Sequence, residues 1–559
     1  MRVAFLLVLM AVCASPARAQ AFGSCITGTA IQFLESATLR ASVFNTGGLF
    51  FGGSTTSGDG YIIPRAQSSL WRPGQSVSPL FAAGLWLGGE VEGEMRVAAA
   101  RYGGYDFWPG PLEDAASPPT DCSEHDRIYL VSRSDIEQYY RTGELTDDLR
   151  DWPHQLGAPV LDGDGDSTNY DLRAGDQPDL IGDQAAWWVM NDAGNDHNPG
   201  APLGVEVQAH AFIYGRTTAT TSPALAQTTF IRYEVINRGD KPIEPMYASL
   251  FSDPDLGNAG DDYMGSDTLR NMVFVYNDSN EDVAYGVPPS QGVQVLQGPV
   301  GLANGRDDDR DGEVDEPGEQ LRATAASVFD IGPAGTQDPG RPEEYYNFMQ
   351  GLWGNGLPYY ELNNGFEQFG APITTFMMAG DPVTESFYSE VNTDGNGANF
   401  PQGDRRMAVS TGPFRLDPDS TATLFYAFPF GQGDNYLHSV AVMRGYAAAL
   451  QSLHALGAFT SRPVERSGPK LTYELAMSRV RPNPSSGAAE VILTLPAETV
   501  VHATIVDALG RQLETVVDGV LPEGETVLAM PAGLAPGTYV LRVQVAPGAE
   551  ETLTFTVAR

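Results

Sequence analysis

The sequence predicts a mostly β, multidomain chain: a β-sandwich architecture with few helices, closed by a small Ig-like C-terminal domain. Three observations carry this expectation. From Pro482 onward, apolar and polar residues alternate with a period close to two, as in Tyr539, Leu541, Val543 and Val545, or in Leu553, Phe555 and Val557 against Thr552, Thr554 and Thr556. Such alternation marks strands with one buried and one wet face. Upstream, short runs rich in aromatic and β-branched residues are separated by Gly, Pro, Asn and Asp turns, which supply the backbone conformations that join strands. Helical spacing is confined to two segments. At 559 residues the chain is also too long for a single small core.

Taken in order, the chain opens with Arg2, an apolar run from Val3 to Val12 and the small-x-small site Ala17-Arg18-Ala19. This is the pattern of a signal peptide over 1–19, which places the mature start near Gln20. Val12 is too large to precede a lipoprotein cysteine at Cys13. No later stretch is long and apolar enough for a transmembrane segment. Residues 20–457 read as a β-rich exported region, expected to hold more than one sandwich-like unit with Asp-rich loops. Cys25 and Cys122, the cysteines left after processing, suit one disulfide in an oxidising compartment.

Residues 134–145 read as a helix opened by Ser134 and weakened at Gly143. Residues 228–240 read as a strand, with Ile231, Tyr233 and Val235 on one face, turned by Asn-Arg-Gly-Asp toward a second strand at "MYASLF". Residues 424–430 form another aromatic strand. Residues 434–456 place Val440, Met443, Ala447 and Leu450 at helical spacing before Gly457. Residues 458–470, with Pro463, Gly468 and Pro469, read as a linker to the last domain, 471–559.

Within that last domain, "RPNPSSGAAEVILTL", "ATIVDALGRQLETV" and "LAPGTYVLRVQV" carry a resemblance. With Pro482-Asn483-Pro484, Asp507, Gly510-Arg511 and Gly537-x-Tyr539, the domain resembles the type A C-terminal sorting domain of the type IX secretion system. The closing "ETLTFTVAR" lacks the lysine that many such domains carry. The resemblance implies delivery to the outer cell surface or medium, with a type IX-like export machinery as partner. Phrases across roughly 38–456, among them "GDQAAWWVMND" and "SDPDLGNAGDDYMGSD", look like large exported proteins that carry such domains, of no assigned activity.

Thirty-three basic against 71 acidic residues give a formal charge of −38. Such a surface repels nucleic acid and attracts cations. The acids cluster most at 304–316, "NGRDDDRDGEVDE", where Asp307, Asp309 and Asp311 alternate before Gly312. Ca²⁺ takes six to eight oxygens, mostly carboxylates and carbonyls. Alternate acids in a tight loop can converge on one ion, and the glycine permits the sharp turn. Glu313 offers a carbonyl, Asp315 a ligand directly or through water, and Glu316 stands in for the bidentate acid that Gly318 cannot supply at the twelfth position. The loop resembles the calcium loops of thrombospondin type 3 and dockerin-like modules. Asp162, Asp164 and Asp166 repeat the spacing, with Ser167 in place of the glycine and Arg173 where a final acid would stand; a cation site and a bare turn are equally open there. Asp253, Asp255, Asp261 and Asp262 form a further cluster, read as a structural acidic loop ahead of a second site.

Histidines are scattered, and no HExxH, CxxC, GxSxG or phosphate-loop motif occurs. The aromatic segment "LWGNGLPYY" offers either an exposed glycan-stacking patch or core, with core favoured; of Trp187 and Trp188 at least one is expected inside. The sequence thus predicts a secreted, Ca²⁺-stabilised structural or adhesive surface protein. The alternative is a carbohydrate-binding protein or glycoside hydrolase acting on cell-surface polysaccharide or extracellular glycan.

Overall fold

The computed structural model describes residues 23–52, 60–102, 104–197, 200–215, 222–303, 305, 307, 312–329, 335–465, 475–485, 489–496, 499–522, 524–545 and 549–558. The leader expected at 1–19 lies outside them, as do Asp309 and Asp311. The chain is mostly β and divides into two compact units. One holds the residues up to Asp135 with Thr146–Leu161 and Gln177–Pro463; the other holds Ile136–Leu145, Asp162–Asp176 and Val464–Arg559.

The first unit is built on two large antiparallel sheets. In one, the strands Ile31–Glu35, Arg40–Phe44, Gly48–Leu49, Ala82–Val91, Ile243–Asp253, Arg406–Leu416 and Ala325–Phe329 lie side by side in that order. In the other the order is Asp262–Asp267, Met272–Asn277, Ser290–Gln297, Thr421–Gly431, Thr228–Asn237, Val205–Ile213, Gln184–Asn191 and Trp108–Pro109. Central strands of both are buried along nearly their whole length, so they read as apolar runs such as "AAGLWLGG" rather than as clean alternation. Leu85, Trp86, Leu250 and Val409 from the first sheet and Trp188, Ile231, Tyr233 and Tyr426 from the second join one continuous core. Burial at roughly 25 cal/mol per Å² of apolar surface is the main force holding such sheets face to face.

The strands Thr228–Asn237 and Ile243–Asp253 are consecutive but belong to different sheets. The Asn-Arg-Gly-Asp turn is therefore a corner between sheets rather than a hairpin within one. Asn237 fixes it: its Nδ2 donates to the carbonyls of Lys241 at 2.8 Å and Leu416 at 2.9 Å, while its Oδ1 accepts from the Gly239 amide at 2.9 Å. The helix expected over 434–456 spans Tyr436–Ala455 and is capped by Asn435, whose side chain accepts from the His438 amide. Val440, Met443 and Ala447 cover Met272, Phe274 and Tyr276 on the outer face of the second sheet. Phe459, at the start of the expected linker, packs on Phe230 and Phe425 with ring centroids 5.1 and 5.2 Å apart.

The helix expected to open at Ser134 spans Arg133–Thr142 instead. Ser132 caps it, donating its amide to Asp135 Oδ2 and accepting from the Asp135 amide on Oγ, a reciprocal box that Ser134 stands two residues too late to make. Gly143, at φ +78°, ends it in the left-handed conformation that glycine adopts without strain.

The C-terminal module is a two-sheet antiparallel sandwich. Gln512–Leu521, Thr499–Val506, Gly537–Val545 and Ala549–Val557 form one sheet, and Ala476–Met477, Ala489–Leu495 and Gly524–Met530 the other. Tyr539, Leu541, Val543, Val545 and Phe555 are buried between them, as their period-two spacing predicts. The motif residues have local structural roles. Asn483 Oδ1 accepts from the Thr556 amide at 2.9 Å, tying the Pro-Asn-Pro opening to the last strand. Asp507 Oδ1 accepts from the amides of Leu509 and Arg511, its Oδ2 pairs with the Arg511 guanidinium, and Gly510 supplies φ +76°.

Cys25 and Cys122 form a disulfide across 97 residues of sequence, packed with Trp108. A closed loop of that length restricts the unfolded chain and contributes on the order of 2–4 kcal/mol. The Cys25→Ser/Cys122→Ser variant is expected to unfold at lower urea than the parent under non-reducing conditions. Coincident transitions would contradict a stabilising role for the bond.

Candidate cation loops and an acidic cleft

The 304–316 loop is described at Gly305, Asp307 and from Gly312 onward. Asp307 Oδ2 accepts from the Gly312 amide at 3.1 Å, and Gly312 takes φ +104°. Asp315 turns its carboxylate back to the Gly305 amide, at 2.8 and 3.1 Å, which closes the base of the loop. Among the described residues, Asp307, Glu313, Asp315 and Glu316 do not gather three carboxylates within ligating distance of one another.

The Asp162–Asp176 segment, in the second unit, does. Oxygens of Asp162, Asp164 and Asp176 lie within 4.8 Å of one another. The loop positions them through its own backbone: Asp162 Oδ1 accepts from the amides of Asp164 and Gly165, and Gly165 turns at φ +88°. Asp176 Oδ1 accepts from the Gly163 amide at 2.9 Å and its Oδ2 from the Asp171 amide at 2.6 Å, so it pins the two ends of the loop. A Cβ on Gly163 would meet the Gly175 carbonyl at 2.3 Å, so the close approach requires glycine. Asp166 faces elsewhere, accepting from the Thr168 amide and hydroxyl, and those bonds hold its carboxyl below the usual range. Asp176 was not a sequence candidate. It stands three residues beyond Arg173, at the end of a loop longer than the EF-hand spacing, where only the chain's return reveals it.

In the first unit a third cluster joins Asp253, Asp255 and Asp404, again within 4.8 Å. Asp253 ends the Ile243–Asp253 strand and Arg406 begins the strand beside it. Arg406 Nε lies 3.3 Å from Asp253 Oδ1, its Nη1 lies 2.6 Å from Asp404 Oδ1, and its Nε donates to the Tyr102 hydroxyl at 3.0 Å. A fixed guanidinium at this spot already supplies the positive charge that a cation would bring. Burial pushes the Asp253 carboxyl up to about 7, with Arg406 opposing and Asp255 adding to the rise. Burial, then Asp404, pushes Asp255 up to about 6 against the pull of Arg406. Asp261 ends the turn that follows and Asp262 opens the next strand, where Asp262 Oδ2 accepts from the Leu256 amide at 3.1 Å. Burial also raises both of these carboxyls, Asp261 to about 6 and Asp262 well above the ordinary value.

Asp255 lines a cleft of about 350 Å³ together with Trp71, Gln75 and Asn258. Trp353 and Tyr359 of "LWGNGLPYY" are core, the reading favoured from sequence: Trp353 is buried against Tyr359 and Phe366, donating its indole N–H to the Gly365 carbonyl, and Tyr359 is fully buried. Trp187 and Trp188 are both core. The exposed tryptophan is Trp71, 55% accessible. Sequence reading did not single out Trp71, Asp404 or Arg406, because nothing in their spacing ties them to Asp255.

No family model matches the chain, and no curated protein matches it. Among solved structures it is similar to a polysaccharide lyase at 8% identity and a TM-score of 0.18, over 66% of this chain. The chain spans 39% of the length of that lyase.

Proposed function

We propose that this is an exported surface protein with a structural or adhesive role, stabilised by Ca²⁺ and delivered by its C-terminal sandwich through a type IX-like route. The observation that carries the cation part is the convergence of Asp162, Asp164 and Asp176 on one point of a backbone-organised loop. Three carboxylates held this close repel one another, and an oxygen-seeking divalent ion relieves that repulsion. The 304–316 loop, with Asp307, Asp309, Asp311, Glu313, Asp315 and Glu316, is the second proposed site. The leader pattern, the disulfide and the motif-bearing sandwich support export.

Saturating Ca²⁺ at a hundred times its dissociation constant adds about 2.7 kcal/mol to a protein that binds it only when folded. A rise in melting temperature on moving from EDTA to Ca²⁺ is therefore expected, smaller in Asp164→Ala and, for the other loop, in Asp309→Ala. Identical melts in EDTA and Ca²⁺ would sink the cation reading. Deleting 471–559 is expected to leave the protein inside the cell; surface display of the truncated chain would sink the delivery reading.

A further inference from the structure

We propose that the cleft between residues 69–78 and the 255–259 loop binds an uncharged sugar unit of a glycan, with Trp71 as stacking platform and Asp255, Gln75 and Asn258 meeting the sugar hydroxyls. This goes beyond the calcium-and-export reading and does not depend on it.

The rim is a fixed loop rather than a loose one. The Ser69 amide donates to the Gln75 carbonyl at 2.9 Å, the Arg72 amide to Ser69 Oγ at 3.2 Å, and the Gly74 amide to Ser68 Oγ at 2.9 Å. The Leu70 amide is tied to the Ala284 carbonyl at 2.9 Å. This loop holds two large apolar side chains in water, Leu70 at 65% and Trp71 at 55% exposure. The other six of the seven tryptophans are buried. An ordered loop that exposes the one tryptophan not used in a core marks a contact surface.

Below the rim, polar side chains share the cleft with apolar ones such as Val77 and Phe81. Asp255 reaches it from the acidic cluster, and Gln75 and Asn258 stand in its wall. Acceptors and amides beside an indole suit a ligand that is apolar on its ring face and rich in hydroxyls at its edge. The cleft volume sits at the small end of ligand pockets, roughly 300–1,000 Å³. Two guanidinium groups flank the cleft. The Arg72 guanidinium lies 4.5 Å from the Trp71 ring centre, and Arg406 answers Asp253 and Asp404. Arg72 thus covers one face of the indole, and a ligand stacks on the opposite face. The same acids disfavour a uronate.

The full-length protein should be titrated with cellohexaose, xylohexaose, mannohexaose and maltohexaose while tryptophan emission and its quenching by acrylamide are followed. Because Trp71 is the exposed indole, its quenching reports this cleft. At least one of the four sugars is expected to protect Trp71 saturably. Trp71→Ala is expected to abolish the signal, and both Trp71→Ala and Asp255→Asn to weaken binding by calorimetry by about tenfold or more. Absence of binding by all four sugars would overturn the proposal, as would binding unchanged in both variants. Protection by tetramethylammonium in place of the sugars would assign the cleft to a cation instead.

Discussion

From pH 5 to pH 8 the protein is expected to lose stability as the buried carboxyls around Asp253 ionise. Asp253 has an ordinary value of 3.8 and is pushed up to about 7 in the fold, chiefly by burial. A group that holds its proton more tightly when folded stabilises the fold fully below its unfolded pKa. That contribution is lost as pH rises through the folded value, here between about 4 and 7. At 1.36 kcal/mol per unit, Asp253 alone accounts for about 4 kcal/mol across this window. Asp255 and Asp261, each raised to about 6, act in the same direction. His210 opposes them: burial pushes it down to about 4, so its contribution is present above the ordinary histidine value and is lost toward acid. Asp253→Asn separates the two. Urea unfolding of the variant at pH 5 and at pH 8 is expected to differ by about 2–3 kcal/mol less than that of the parent, the share of the window that lies above pH 5. A parent and a variant with the same pH dependence would show that Asp253 is ionised in the fold at pH 5.

Trp86→Ala is expected to cost about 3–5 kcal/mol, the usual range for deleting a large aromatic side chain from a core. Trp86 is fully buried, stacked on Phe251 at 5.1 Å and 10°, set edge-on to Tyr345 at 4.8 Å, and it donates its indole N–H to the Ala100 carbonyl at 3.2 Å. Its removal leaves a cavity beside Phe251 and Tyr345 and takes the indole donor from the Ala100 carbonyl. Trp71→Ala is the internal control, since an exposed side chain on a loop closed by its own backbone bonds changes stability by no more than about 0.5 kcal/mol. Comparable losses in the two variants, measured by chemical denaturation, would contradict the burial assigned to Trp86.

What could be read in the chain beforehand follows from which signals are local. The period-two alternation of the last domain is legible because its sheets each present one face to a small core and one to water. The Tyr436–Ala455 helix is legible for the same reason, its apolar stripe lying against one sheet. In the first unit the central strands are buried on both faces, which erases the alternation that would fix their pairing. The Asn237 corner carries an ordinary turn sequence. Its passage between sheets is held in part by the Leu416 carbonyl, 179 residues away, which accepts from the Asn237 side chain.

The candidate sites divide along the same line. Asp162 and Asp164 are close in sequence and their alternation exposes them. Asp176 joins them only because the chain doubles back at Gly163 and Gly175. Asp253 and Asp255 are also visible, but Asp404 and Arg406, which set their charge balance, arrive on a neighbouring strand. Sequence by itself thus determined the fold class, the tail sandwich, both long helices and the acid-rich loops, all of which rest on neighbours a few residues apart. Tertiary structure alone decided which acids converge, which aromatic residue faces water and which carboxyls are buried, because those properties depend on partners the chain reaches only after it has folded.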